Sequence, residues 1–236
     1  MPVLLSLETS TDVCSVAVHD AGNLLAIAEV HMGQAHASKL ALLIKEATTD
    51  AGVSMSDLSA VAVAAGPGSY TGLRIGTSTA KGLCYALAIP LVSVGTLDVM
   101  AAAMQSAVPA GVSSLCPMID ARRMEVYCAL YDFGCRRLTA VEARVIDEHS
   151  FAEQLSRGPI TFGGNGSDKC REVITHPNAS FVPGVYPSAR HLGVLASQKL
   201  AHGNVEDLML FEPFYLKDFK AKLPTNIIAP AVNKPA

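Results

Sequence analysis

Short apolar runs at strand length punctuate the chain. Residues 4–7 (Leu-Leu-Ser-Leu), 15–18 (Ser-Val-Ala-Val) and 24–30 predict three strands, since apolar runs of this length between turn residues suit a buried sheet. Asp20-Ala21-Gly22-Asn23 marks a hairpin turn between the last two. The period then changes. Leu40, Leu43, Ile44 and Ala47 recur at spacings of three and four, which predicts a helix over 35–51, with Gly52 as its stop. A fourth strand at 61–64 runs into Gly66-Pro67-Gly68-Ser69, and a second helix follows over 73–88. A fifth strand at 90–94 and a helix over 96–105 close the first half, and 107–111 is the candidate linker.

The second half opens by repeating the first. Leu4-Leu5-Ser6-Leu7-Glu8 matches Cys116-Pro117-Met118-Ile119-Asp120, with an acidic residue ending each run. Val16-Ala17-Val18-His19-Asp20 matches Cys128-Ala129-Leu130-Tyr131-Asp132 at the same separation, so no gap is needed. Gly66-Pro67-Gly68-Ser69 finds its counterpart in Gly164-Asn165-Gly166-Ser167. The expectation is a duplicated α/β chain, each copy a three-stranded meander continued by βα units. Its domains are 1–108 and a smaller 109–223, with 224–236 as a flexible Pro- and Ala-rich tail. Two such halves enclose a cleft in which Glu8, Thr9, Ser10, Asp120, Gly66 to Ser69 and Gly163 to Gly166 are neighbours.

Composition narrows the function. Half of the 236 residues are apolar, and only 17% are charged, below the roughly 25% usual for soluble domains. Low charge leaves apolar surface for a protein partner to cover. The net charge of −3 is no footprint for nucleic acid, so RNA contact would depend on a partner's positive field. Six cysteines are scattered without C-x-x-C spacing, which gives no zinc or redox motif. No signal peptide or membrane-length apolar run is evident, so a cytoplasmic location is expected.

The Gly66–Ser69 turn between a strand and a helix gathers backbone N–H groups at one point, an arrangement that attracts phosphate. It is neither a Walker A loop nor the dinucleotide fingerprint. Thr9 and Ser10 offer hydroxyls to a phosphate, and Glu8 a carboxylate to a water-linked metal. Pro67, lacking an N–H, removes one donor. These residues, with Gly66, Gly68, Ser69, Asp120 and Gly164, form the nucleotide-site candidate, for weak or partner-dependent binding.

Leu5-Ser6-Leu7-Glu8-Thr9-Ser10, Ala65-Gly66-Pro67-Gly68-Ser69-Tyr70-Thr71-Gly72-Leu73-Arg74-Ile75-Gly76, Ala80-Lys81-Gly82-Leu83, Ile119-Asp120-Ala121-Arg122 and Phe214-Tyr215-Leu216-Lys217 together resemble the TsaB (YeaZ) family. The resemblance spans nearly the whole chain in order. It implies two actin/Hsp70/sugar-kinase-like (ASKHA) domains, each a mixed sheet with flanking helices. It also implies a non-catalytic partner of the catalytic subunit TsaD and the ATPase TsaE in forming threonylcarbamoyladenosine beside the tRNA anticodon. A homodimer in the partners' absence, indirect contact with tRNA and no membrane contact belong to the same expectation. No cofactor is expected to bind tightly; ATP or ADP is a candidate ligand at the partner interface.

In catalytic relatives two histidines spaced H-x-x-x-H hold a metal after the fifth strand. The matching positions here are Thr96 and Met100, which suit no hard metal. No catalytic residue is therefore assigned. The alternative is a small ATP-binding kinase-like or metalloprotease-like enzyme of the same fold. Gly72, Gly76, Ala80, Cys84 and Ala88 repeat every four residues along the second helix, a smooth stripe that admits another helix. Glycine inside a helix costs up to about 1 kcal/mol relative to alanine, so a compensating contact is required. The expected partner face comprises Gly72, Gly76 and Ala80, the anchors Tyr70 and Arg74, and Ala37 and Ala41 of the first helix.

Overall fold

The structure, a computed structural model, describes residues 2–31, 36–109 and 114–217. The first half forms β1 (Val3–Glu8), β2 (Val13–Asp20), β3 (Asn23–His31), α1 (His36–Asp50), β4 (Leu58–Ala64), α2 (Tyr70–Leu87), β5 (Leu91–Val94) and α3 (Thr96–Ala107). The five strands make one sheet in the order β3-β2-β1-β4-β5. β1 to β3 are an antiparallel meander, and β4 and β5 run parallel to β1. Ala21 and Gly22, both at positive φ, close the hairpin at the expected turn. α2 begins earlier than expected, because Ser69 caps it by accepting from Gly72 N at 3.3 Å.

The second half forms β6 (Ser114–Asp120), β7 (Glu125–Cys128), β8 (Tyr131–Asp132), β9 (Glu142–Val145), α4 (Ala152–Arg157), β10 (Ile160–Gly163), β11 (Ala179–Val182) and α5 (Ala189–Ala201). Its order is β11-β10-β6-β7-β9. β6, β7, β9, β10 and β11 repeat β1 to β5 in connectivity and in direction. The expected duplication is thus present in both sheets, with β8 as an addition that pairs with β6. Glu8 pairs with Ser15, whereas Asp120 pairs with Val126, so the second tip is one residue tighter.

Side-chain alternation divides the first sheet into two faces. Leu5, Leu7, Val16 and Val63 pack against Leu40 and Leu43 of α1 and Ala80 and Cys84 of α2. Leu4, Ala62 and Val92 pack on the opposite face against Val99 of α3 and Leu192 and Ala196 of α5. α3 also joins the halves: its Leu97, Met100 and Met104 share a core with Leu115, Ile119 and Tyr131.

The stretch expected as one domain, 109–223, divides. Its first part builds the second sheet, but α5 returns to cover β1, β2 and β5. The return is specific. His19 is fully buried on β2, and its Nε2 lies 3.0 Å from Arg190 O. Ala189 N donates to Ser15 Oγ at 2.8 Å, and Ser188 Oγ donates to Glu29 at 2.6 Å. After α5, residues 206–217 form a strap along the first half. Glu206 N donates to Leu91 O at 2.8 Å, and Ser93 Oγ donates to the Glu206 carboxylate at 2.5 Å. The tail expected over 224–236 and part of the linker expected over 107–111 lie outside the described residues.

Candidate functional site in the interdomain cleft

A cleft of about 890 Å³ opens where the tips of the two sheets meet. Ser10, Gly68, Ser69, Tyr70 and Asp120 line it. Four other expected site residues lie behind its wall. Glu8 and Thr9 are 0% and 1% exposed, and Gly66 and Gly164 are largely buried. The tip of β1 is covered by the loop after it and by α2, so Glu8 is closed to the cleft rather than open to a water-linked metal. Its Oε1 accepts from Ser10 N at 2.7 Å, and its Oε2 has no partner. Burial, with help from Glu29, raises the Glu8 pKa to about 7 against the pull of the Ser10 hydrogen bonds.

The Gly66–Ser69 turn satisfies much of itself. Ser69 N donates to Ser10 O at 2.7 Å, and Thr96 N donates to Gly66 O at 2.9 Å. Pro67 has no N–H to give. A Cβ on Gly68 would overlap Ser10, which is why the turn needs glycine. Gly66 and Gly164 share a positive φ, 105° and 108°, so the two halves repeat the turn in conformation as well as in sequence.

The second tip differs from the first in being open to solvent and occupied. Asp120 accepts from Arg122 N at 2.9 Å and is ion-paired with Lys169, whose Nζ also donates to Glu125 O at 2.7 Å. Asn165 Oδ1 accepts from Asp120 N at 3.0 Å. Lys169 is absent from the expected site. Its position two residues past the second Gly-x-Gly-Ser turn is the signal that points to it. The strap closes one side of the cleft through Phe214, Tyr215, Leu216 and Lys217, residues that the sequence marks only as an aromatic pair followed by a lysine. Thr96 and Met100 are fully buried. Among the described residues, no group of three His, Cys, Asp or Glu side chains could hold a metal ion.

The helix faces require a correction. Gly72, Gly76 and Ala80 are buried and point at the chain's own sheet. A Cβ on Gly72 would overlap Thr9 O, and one on Gly76 would overlap Thr9 Oγ1. Gly72, Gly76 and Ala80 are therefore spent on packing α2 against the first sheet, and they offer no surface to a partner. Ala37 and Ala41 are exposed on α1, and Arg74 is exposed on α2. Leu42 is 58% and Tyr85 80% exposed. Gly82 is exposed as well, and a Cβ there would meet nothing within 4 Å.

Comparison with known proteins decides the family. The profile of the family described as TsaD: tRNA N6-adenosine threonylcarbamoyltransferase matches residues 30–225. The tRNA threonylcarbamoyladenosine biosynthesis protein TsaB of Escherichia coli K12 is 31% identical, over 94% of this chain and 98% of its own. The chain belongs to the TsaB family. The Haemophilus influenzae TsaB is 35% identical, over 91% of this chain and 93% of its own. The solved structure of YeaZ from Pseudomonas aeruginosa superposes with a TM-score of 0.79 at 28% identity, covering 92% of this chain and 100% of that one. Relatives of this family thus act in tRNA threonylcarbamoyladenosine biosynthesis. No helix among the described residues is long and apolar enough to cross a membrane.

Proposed function

We propose that this chain is the non-catalytic platform subunit of a cytoplasmic threonylcarbamoyl-transfer complex. It pairs with a TsaD-type catalytic subunit, supports the TsaE-type ATPase, pairs with itself in their absence and meets tRNA only through the assembly. The observation that carries this reading is the outward face of α1 and α2. Ala37, Ala41 and Gly82 are exposed there beside two large exposed apolar side chains, Leu42 and Tyr85, small residues that admit a close approach next to anchors for a partner to cover. The state of the cleft supports an accessory role. The Glu8 carboxylate is sealed, and Asp120 is already ion-paired with Lys169. ATP or ADP, in this reading, binds at the partner interface rather than tightly to the isolated chain.

The test is co-purification with a TsaD-type subunit, then a tRNA modification assay with and without this chain. Modification is expected only when both are present, and transfer by this chain alone would overturn the reading. Gly82→Leu adds bulk to the outward face without touching the core. It should weaken pairing while leaving the monomer folded, and undiminished pairing places the interface elsewhere.

A further inference from the structure

The strap is held in two unlike ways. Leu208 and Phe211 pack on the core of the first half. Lys81 Nζ donates to Met209 O at 3.3 Å and to Phe211 O at 3.0 Å. This part is a fixed anchor. Beyond Pro213 the chain crosses the cleft. Phe214 N donates to Ala65 O at 2.7 Å, and Phe214 O lies 2.6 Å from where a Cβ on Gly66 would stand. Tyr215 OH accepts from Arg74 Nε at 3.3 Å, and its ring sits 5.0 Å from that of Tyr70. Lys217 reaches the other half, where it pairs with Glu125 and lies 5.7 Å from the Tyr127 ring.

We infer that residues 212–217 form a releasable latch over the interdomain cleft, and that docking of a partner on α2 opens it by competing for Tyr70 and Arg74. The inference rests on the α1–α2 docking reading above. The latch is only half-buried: Glu212 and Phe214 are exposed and Tyr215 to Lys217 half-buried, and the Lys217–Glu125 pair is partly solvated, where ion pairs contribute little. Arg74 is exposed and lies 4.5 Å over the Tyr70 ring, so the catch occupies the edge of the face offered to a partner. Such weakly buried segments are the ones that open first. With the latch lifted, Gly66, Ser69 and Asp120 lose the wall that Phe214 to Lys217 provide. The cleft is then wider in the assembled complex than in the isolated chain.

Hydrogen–deuterium exchange of the full chain, alone and saturated with the TsaD-type subunit, tests this. The Phe214 amide, which donates to Ala65 O, is expected to exchange at least about tenfold faster in the complex, while 206–211 stay unchanged and 78–86 slow down. Slowed α2 with unchanged or slower exchange at Phe214 overturns the latch and leaves the docking reading standing. No slowing on α1 or α2 overturns the docking reading, and the latch with it. Lys217→Glu breaks the far end of the latch, its pair with Glu125, without touching α2. It should tighten partner binding by about threefold to tenfold, because the closed state no longer competes; equal or weaker affinity sinks the competition.

Discussion

Gly76 of α2 rests on Thr9 so closely that a Cβ on the glycine would overlap the threonine Oγ1. The same Oγ1 donates to Gly72 O at 2.8 Å, so one side chain fixes two turns of the helix against the end of β1. This contact sets the position of Ser69 and of the whole Gly66–Ser69 turn. Gly76→Ala is therefore expected to destabilise the chain by about 1–3 kcal/mol through overpacking, despite alanine's better helix propensity. Gly76→Leu should leave little folded protein. Thermal melts followed by circular dichroism would decide it, and an alanine variant as stable as the parent would show that the helix can shift at no cost.

Gly82 stands on the opposite side of the same helix with open space where a side chain would go. Gly82→Ala should raise the stability of the isolated chain by about 0.5–1 kcal/mol, the ordinary gain at an exposed helix position. Urea melts of both variants give opposite signs for two glycines six residues apart. A destabilised Gly82→Ala would mean that the helix is strained there.

That contrast marks where the sequence stops being informative. Glycines at 72, 76 and 82 are identical as letters, and a four-residue spacing of small residues fits an inward or an outward face equally well. Only the approach of Thr9 turns two of them inward. The duplication was legible because Glu8 and Asp120, and the two Gly-x-Gly-Ser turns, recur at matching places in a strand order that β1 to β5 and β6 to β11 then repeat. The sealing of Glu8 was not legible, since a carboxylate at a strand end is ordinarily exposed. Nor was the return of α5, since nothing in residues 189–201 names the sheet that buries them.

The seat of α5 gives a third test. A Cβ on Gly193 would overlap the ring of His19, which is fully buried. Burial also lowers the His19 pKa, outweighing its bond to Arg190. Gly193→Ala must push α5 off β2, and a loss of about 1–3 kcal/mol is expected. If proteolysis of 186–217 is no faster in the variant, and its melting point is unmoved, α5 is not held by this fit.

Glu8 makes the stability of the chain depend on pH in an uncommon direction. Its carboxyl has an ordinary value of 4.5 and is raised to about 7 in the fold, first by desolvation and then by Glu29. Between those values the folded chain holds a proton that the unfolded chain has lost. The contribution is therefore fully present below about pH 4.5, declines as pH rises and levels off above about pH 7. The total change is on the order of 3 kcal/mol. Glu8→Gln keeps the acceptor for Ser10 N and carries no charge at any pH, so it should lack this decline. Its stability relative to the parent should rise between pH 5 and pH 8 by most of that amount. Urea unfolding of both proteins at the two pH values isolates the effect, because a constant offset from the amide's unpaired N–H cancels in the difference. A gap between the proteins that is the same at both pH values would mean that Glu8 ionises in the folded chain as it does in water.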